Sequence, residues 1–374
     1  LLVKTVKGYG LGRAGEGLNT AHNTKKMAID QLKAFRDRFN IPVTDAEIVD
    51  VPFCKPTADS PEMQYLQQRR KQLDGYLPQR RGKTEDNLIT PELSEFAPFM
   101  SGTGDREIST TTAFVRIITQ LCKDKQIGKR IVPIVPDEAR TFGMEGLFRQ
   151  LGIYAPTGQL YTPVDSDQVM YYKEAKDGQI LEEGINEAGA FCSWLAAATS
   201  YSIHNKTMIP FYIYYSMFGF QRIGDLAWAA GDSRARGFLL GGTAGRTTLN
   251  GEGLQHEDGN THTMAALIPN CISYDPTFNF ELAVIIQDGL KRMVERQEDV
   301  FYYITVMNEN YTHPAMPEGV TDGILKGLYK LQAASAKHKL QAQLLGSGTI
   351  LREVIAAAEL LDKDFSVAAD IWSA

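Results

Sequence analysis

Ile209-Pro210-Phe211-Tyr212-Ile213-Tyr214-Tyr215 is apolar or aromatic at every position. A strand with one wet face alternates polar and apolar residues. A strand covered by helices on both faces does not, and that is the habit of parallel sheets. Working outward, a helix over 184–202 precedes this strand (208–216), and a helix over 220–230 leads to a second apolar strand over 237–242. Upstream, a helix over 110–123 leads to a strand over 130–136; downstream come a strand over 269–274, a helix over 278–295 and a strand over 300–307. This alternation predicts an α/β fold, a mainly parallel sheet flanked by helices. After a segment over 321–329, a strand over 342–345, the turn Gly346-Ser347-Gly348, a helix over 350–362 and a last strand form one further βαβ unit. One such unit is not a domain, so the tail reads as the truncated opening of another.

The other end is organised differently. Leu1-Leu2-Val3-Lys4-Thr5-Val6 is strand-like and lacks an initiator Met. With the strand-like tail, it makes the chain read as a piece of something longer. Gly8-Tyr9-Gly10-Leu11-Gly12-Arg13-Ala14-Gly15-Glu16-Gly17 then predicts a mobile loop. A helical pattern runs over 23–39. Thr44 with Glu47 is a capping-box pattern, and Ser60-Pro61 opens a polar helix that ends near Gly75. Residues 75–105 read as a linker. The cationic run around its start (Arg69, Arg70, Lys71, Arg80, Arg81, Lys83) is expected to be a solvated face.

Composition removes several function classes. Hydrophobic residues make up 43% and charged residues 22% of 374, which is ordinary for a globular chain and excludes a disordered or disulfide-dense one. The 39 Lys+Arg against 45 Asp+Glu leave a net charge of -6, so no nucleic-acid or anionic-membrane partner is expected. No apolar run reaches the roughly 18 residues of a membrane span, and nothing at the N-terminus of this sequence reads as a signal peptide. Cys54, Cys122, Cys192 and Cys271 form no C-x-x-C pair, and the last three sit in apolar runs. Buried thiols in a reducing cytoplasm follow.

Polar residues placed where apolar structure stops are the candidates for chemistry. Asp137-Glu138 follows the 130–136 strand, at the sheet end where open α/β folds put ligands. Glu187 stands in the first turns of a helix whose next residues are small or apolar. It is either an acid favoured by the helix dipole or a half-buried functional carboxyl. His256 lies in the turn-rich loop Asn250-Gly251-Glu252-Gly253-Leu254-Gln255-His256-Glu257-Asp258-Gly259, as a site base or as a surface histidine. The glycine patterns at 8–17 and 346–348 are weak phosphate-binding signals; the second would need Asp370 as its downstream acid. No zinc spacing, H-E-x-x-H or G-x-S-x-G occurs.

Four stretches together are far more specific. They are Asp137-Glu138-Ala139-Arg140-Thr141-Phe142-Gly143-Met144-Glu145-Gly146-Leu147-Phe148-Arg149-Gln150, Glu183-Gly184-Ile185-Asn186-Glu187, Tyr212-Ile213-Tyr214-Tyr215-Ser216-Met217-Phe218-Gly219-Phe220-Gln221-Arg222, and Thr247-Thr248-Leu249 running on through the loop of His256. The chain resembles, along its whole length, the homodimeric decarboxylating subunit of the bacterial pyruvate dehydrogenase complex, a thiamine-diphosphate enzyme related to transketolase. The resemblance implies a transketolase-like thiamine-diphosphate-binding fold. In it, 1–40 would end the diphosphate-binding domain with an active-site loop, and 41–105 would be a linker region. Residues 106–330 would be the aminopyrimidine-binding domain, and 331–374 would open a truncated C-terminal domain.

The resemblance also implies function. The activity would be oxidative decarboxylation of pyruvate, with acetyl transfer to the lipoyl group of dihydrolipoyl acetyltransferase. The alternatives are a non-catalytic folding or dimerisation fragment and a transketolase-type enzyme. The cofactors would be thiamine diphosphate and Mg2+. The family's Gly-Asp-Gly…Asn metal motif is not in this sequence, so metal and diphosphate ligands would lie outside the chain. Glu187 matches the glutamate that activates the aminopyrimidine, a task suited to a dry pocket that favours the protonated carboxyl. Phe218 matches the aromatic residue packed on that ring and Ile185 a residue lining the same pocket. His256, Tyr215 and Arg222 are the candidate donors to substrate, with Asp137, Glu138 and Glu252 in the surrounding polar network. His22 matches a loop histidine associated with acetyl transfer; otherwise it is simply exposed.

Overall fold

The computed structural model describes residues 2–73, 75, 80–136, 139–164, 166, 172–245 and 253–374. They fall into two compact units, Leu1–Pro78 and Gln79–Ala374.

In the first unit the expected strand over 2–6 does not form. Leu2 and Val3 are exposed, and among the described residues no strand pairs with them. Apolar character does not make a strand without a partner's backbone groups. The helical pattern of 23–39 shortens to α1, Ile29–Arg38, whose start is set by the Gln31 side chain accepting from the Ala28 amide at 3.0 Å. The glycine-rich stretch forms a series of tight turns. Gly10 takes a left-handed φ of 89°, and a Cβ there would lie 2.7 Å from the Phe39 ring at the end of α1. Glu16 accepts from Gly12 N at 3.1 Å and pairs with Arg38 at 2.5 Å, tying the turns to α1. The Thr44–Glu47 box is present, with Thr44 N donating to Glu47 Oε2 at 2.9 Å, but it opens only the 3-10 turn Ile48–Asp50. α2, Pro61–Gln72, starts where Ser60 Oγ accepts from Met63 N at 3.3 Å.

The second unit is built on a six-stranded parallel sheet. α3 (Thr110–Leu121) precedes β1 (Ile131–Val135) and a two-residue edge strand β2 (Leu181–Glu182). α4 (Glu187–Ala198), β3 (Ile209–Tyr215), α5 (Ser216–Asp232) and β4 (Phe238–Gly242) follow. Next come α6 (Thr261–Ala265), β5 (Cys271–Tyr274), α7 (Asn279–Leu290) and β6 (Phe301–Thr305). The strand order is β2-β1-β3-β4-β6-β5. β3 shows why its sequence is continuously apolar. Phe211 and Ile213 enter one core, Tyr212 and Tyr214 the other, on opposite faces of the pleat. Phe211 stacks on Phe238 of β4 at 4.4 Å, and each ring of this size contributes about 1.5–3 kcal/mol by leaving water.

Residues 79–105 belong with this unit, because Phe96 and Phe99 enter the same core as α3. The tail also packs here. β7 (Tyr329–Gln332), β8 (Leu340–Gly346), α8 (Gly348–Phe365) and β9 (Val367–Ser373) form a three-stranded sheet in the order β8-β9-β7. The Gly346-Ser347-Gly348 turn meets a protein carboxylate instead of a nucleotide. Ser347 Oγ donates to Asp275 Oδ2 at 3.0 Å, and Gly348 N to the Asp275 carbonyl at 3.0 Å. Asp370 is occupied as well: the Ala334 amide, Gln343 and Lys330 hold its carboxyl down at about 2. Of the cysteines, Cys271 is buried and Cys122 half-buried, and burial pushes both thiols up to about 12. Cys192, expected inside, is exposed on the outer face of α4. Among the described residues no helix is long and apolar enough to cross a membrane.

Candidate active site

From β1 the chain crosses to β2 on one side of the sheet, then to β3 on the other. Strand order therefore reverses between β1 and β3, and their carboxyl ends open the crevice where such sheets bind ligands. Asp137 and Glu138 follow β1 directly; with Glu252 they lie outside the described residues. Tyr215 closes β3 and is also the residue from which α5 starts.

Around Tyr215 the structure gathers residues separated widely in sequence. The His256 ring lies 4.9 Å from that of Tyr215 and 5.1 Å, edge-on, from that of Phe218. The Arg222 guanidinium stands 5.3 Å from the Phe218 ring and donates to Glu187 Oε1 at 2.5 Å. Five expected residues thus form one continuous row: Glu187, Arg222, Phe218, His256 and Tyr215. Phe218 and Arg222 share a face of α5 by their four-residue spacing, and Tyr215 is one turn before Phe218.

Glu187 is the first residue of α4, capped by Asn186, whose Oδ1 accepts from Gly189 N at 3.1 Å. The small residues behind Glu187 mainly serve the fold. A Cβ at Gly189 would stand 2.7 Å from Asn186 Nδ2, and Ala190 is buried against the sheet; only Ala188 faces outward. The Glu187 side chain is 15% exposed and that of Arg222 54%. A pair open to water on one side is worth about 1 kcal/mol or less, so it orients Glu187 without locking it. Glu187 Oε2 has no hydrogen-bond partner among the described residues. Beneath it, burial raises the Tyr212 phenol well above its ordinary value, with Glu187 and Glu183 adding to the effect, so this hydroxyl stays neutral.

Two supports were not singled out from sequence. Tyr215 donates to Thr141 Oγ1 at 3.2 Å and packs on Phe142 at 5.2 Å, while Asn308 Nδ2 donates to the Thr141 carbonyl at 3.1 Å. Thr141 and Phe142 lay within a quoted motif, but nothing local separates them from ordinary packing. Ile185 is 67% exposed, two residues ahead of Glu187. His22 belongs to the first unit and is exposed there. Among the described residues no cluster of three or more His, Cys, Asp or Glu side chains is arranged to hold a metal ion.

α5 owes its seat to one glycine. A Cβ at Gly219 would fall 1.9 Å from Tyr214 Cδ2, inside a buried ring. Gly219→Ala is therefore expected to destabilise the protein by about 1–3 kcal/mol through overpacking. It should also lift Phe218 and Arg222 from their positions. Thermal unfolding checks the first effect, and an unchanged midpoint would contradict it.

The profile of the pyruvate dehydrogenase E1 component middle domain matches residues 88–314. The chain is 65% identical over 373 residues to the pyruvate dehydrogenase E1 component of Pseudomonas aeruginosa and 60% identical over 374 to that of Escherichia coli K12. In both it is covered completely and spans 42% of the relative's length. Among solved structures, transketolase of Campylobacter jejuni aligns over 98% of this chain and 50% of its own, with TM-score 0.62 at 16% identity. Transketolase of Leishmania mexicana aligns over 93% and 43%, with TM-score 0.54 at 15% identity. These last two share the fold, α/β and transketolase-like. The matched profile and the two relatives decide the family: the chain belongs to the pyruvate dehydrogenase E1 component family.

Proposed function

We propose that this chain carries the aminopyrimidine side of a pyruvate-decarboxylating site. The observation that carries the reading is the continuous row Glu187–Arg222–Phe218–His256–Tyr215 at the switch point of the sheet. Thiamine diphosphate, when bound, would supply a nucleophilic thiazolium carbon for a 2-oxo acid such as pyruvate. The residues present fit it: a carboxyl whose second oxygen has no hydrogen-bond partner among the described residues is joined through Arg222 to an aromatic ring. Glu187 Oε2 would hold a proton at the aminopyrimidine ring nitrogen, Phe218 would pack on the ring, and Ile185 would line its edge. Arg222, Tyr215 and His256 would donate to the substrate carboxylate and to the oxygen that gains charge, with Asp137, Glu138 and Glu252 completing the network.

The rest of the site would come from elsewhere. Mg2+ and the diphosphate would be held outside this chain, in a homodimer of the full-length protein. His22 would hand the acetyl group to the lipoyl domain of dihydrolipoyl acetyltransferase in the cytoplasm, an exposed position that suits a visiting arm. The test is carbon dioxide release from pyruvate by the full-length protein, with an artificial electron acceptor and with a lipoyl domain. His22→Ala is expected to spare the first assay and cripple the second. Equal losses in both would remove the transfer role, and no pyruvate-dependent release by the unaltered protein would remove the whole reading.

A further inference from the structure

β6 presents Tyr303 and Thr305 on one face, two residues apart. Each ends a hydrogen-bonded chain that grips the segment immediately after His256. Tyr303 OH donates to Thr261 Oγ1 at 2.9 Å, and Thr261 Oγ1 donates to Asp258 Oδ2 at 2.5 Å. Asp258 Oδ1 in turn accepts from the amides of Asn260 and Thr261, at 3.2 and 3.1 Å, fixing the turn into α6. The second chain starts one residue on. Thr305 Oγ1 donates to Asp275 Oδ1 at 2.6 Å, so its hydrogen is committed and it must accept from His262 Nε2, 2.9 Å away. His262 therefore carries its proton on Nε2. Asp275 completes the chain by taking Ser347 Oγ on its other oxygen at 3.0 Å.

Both chains run donor to acceptor and finish on a carboxylate, an arrangement in which each bond strengthens the next. Their grip lies two to six residues from His256, whose ring packs on those of Tyr215 and Phe218. We propose that Thr305 and His262 are positioning residues: the Thr305–His262 bond, with the Tyr303–Thr261–Asp258 chain beside it, holds the 253–262 segment so that His256 faces Tyr215 and Phe218. The same Asp275 ties that segment to the Gly346-Ser347-Gly348 turn, so packing of the tail and placement of His256 share one half-buried acceptor. The inference rests on the proposed function only where it speaks of turnover.

The experiment compares Thr305→Val with Thr305→Ser in the full-length protein. Valine keeps the shape and removes the hydroxyl; serine keeps the hydroxyl. Hydrogen–deuterium exchange over 253–262 should rise roughly 5–50-fold in Thr305→Val, the range set by stranding half-buried partners, and stay near the unaltered level in Thr305→Ser. α4 should exchange as before in both. In the pyruvate assay Thr305→Val should lose kcat, with Thr305→Ser restoring it. Unchanged exchange in Thr305→Val overturns the proposal whatever turnover does. Faster exchange with full turnover overturns the positioning role. If the unaltered protein does not act on pyruvate, the exchange result alone decides whether the segment is held as described, and the functional reading fails separately.

Discussion

Glu187→Gln in the full-length protein is expected to lower pyruvate turnover by roughly 10²–10⁴-fold, the usual contribution of a group that handles a proton. The amide matches the carboxyl in size and can keep one acceptor oxygen toward Arg222, so α4 and its Asn186 cap should be undisturbed. What it cannot do is share a proton with a ring nitrogen at the atom now occupied by Oε2. Turnover and the thermal midpoint measured on the same preparation separate the two effects. Turnover within a few-fold of normal would sink the assignment, and a large fall in the midpoint would make any loss of activity a folding effect.

Glu281→Ala should be the most damaging change to stability. Its carboxylate is 3% exposed. Oε2 accepts from the amides of Thr277 and Phe278 at 2.6 and 2.8 Å, capping α7. Oε1 accepts from Tyr329 OH and Ser373 Oγ, both at 2.6 Å, and so fastens β7 and β9 to α7. Alanine strands all four donors, and about 3–5 kcal/mol should be lost. Glu281→Gln is expected to cost far less, because its amide nitrogen can donate to the two hydroxyls while its oxygen takes the two amides. Burial raises the Glu281 carboxyl above its ordinary value of 4.5. A raised acid binds its proton more tightly in the folded state, so its contribution to stability is full below that ordinary value and declines as pH rises through the folded one. Urea unfolding from pH 4 upward should show this decline in the unaltered chain and not in Glu281→Gln. Equal midpoints for the alanine variant and the unaltered chain would contradict the clasp.

What could be read from the residues, and what could not, follows from the range of each interaction. The β3 strand was legible because seven consecutive apolar positions have one explanation. The start of α5 was not. The helix expected over 220–230 begins at Ser216, and Gly219 lies inside it, where the Tyr214 ring occupies the space of its missing Cβ. β2 is two residues in a polar setting and exists only because β1 offers it an edge. The strand expected over 2–6 shows the reverse, apolar residues without an edge to join. At the site, Phe218 and Arg222 share a helix face and could be paired from spacing. The Glu187–Arg222 ion pair, 35 residues apart, and the contact of His256 with Tyr215 and Phe218 could not. Only resemblance grouped them in advance.

The central claim is that this row receives the aminopyrimidine. A crystal structure of the full-length protein with thiamine diphosphate and Mg2+ tests it most directly. The account predicts a Glu187 carboxyl oxygen at about 2.6–3.2 Å, hydrogen-bonding distance, from the pyrimidine ring nitrogen, with the ring against Phe218 and the diphosphate held by residues outside this chain. A cofactor bound elsewhere, or with Glu187 still turned to Arg222 and no contact to the ring, would contradict it.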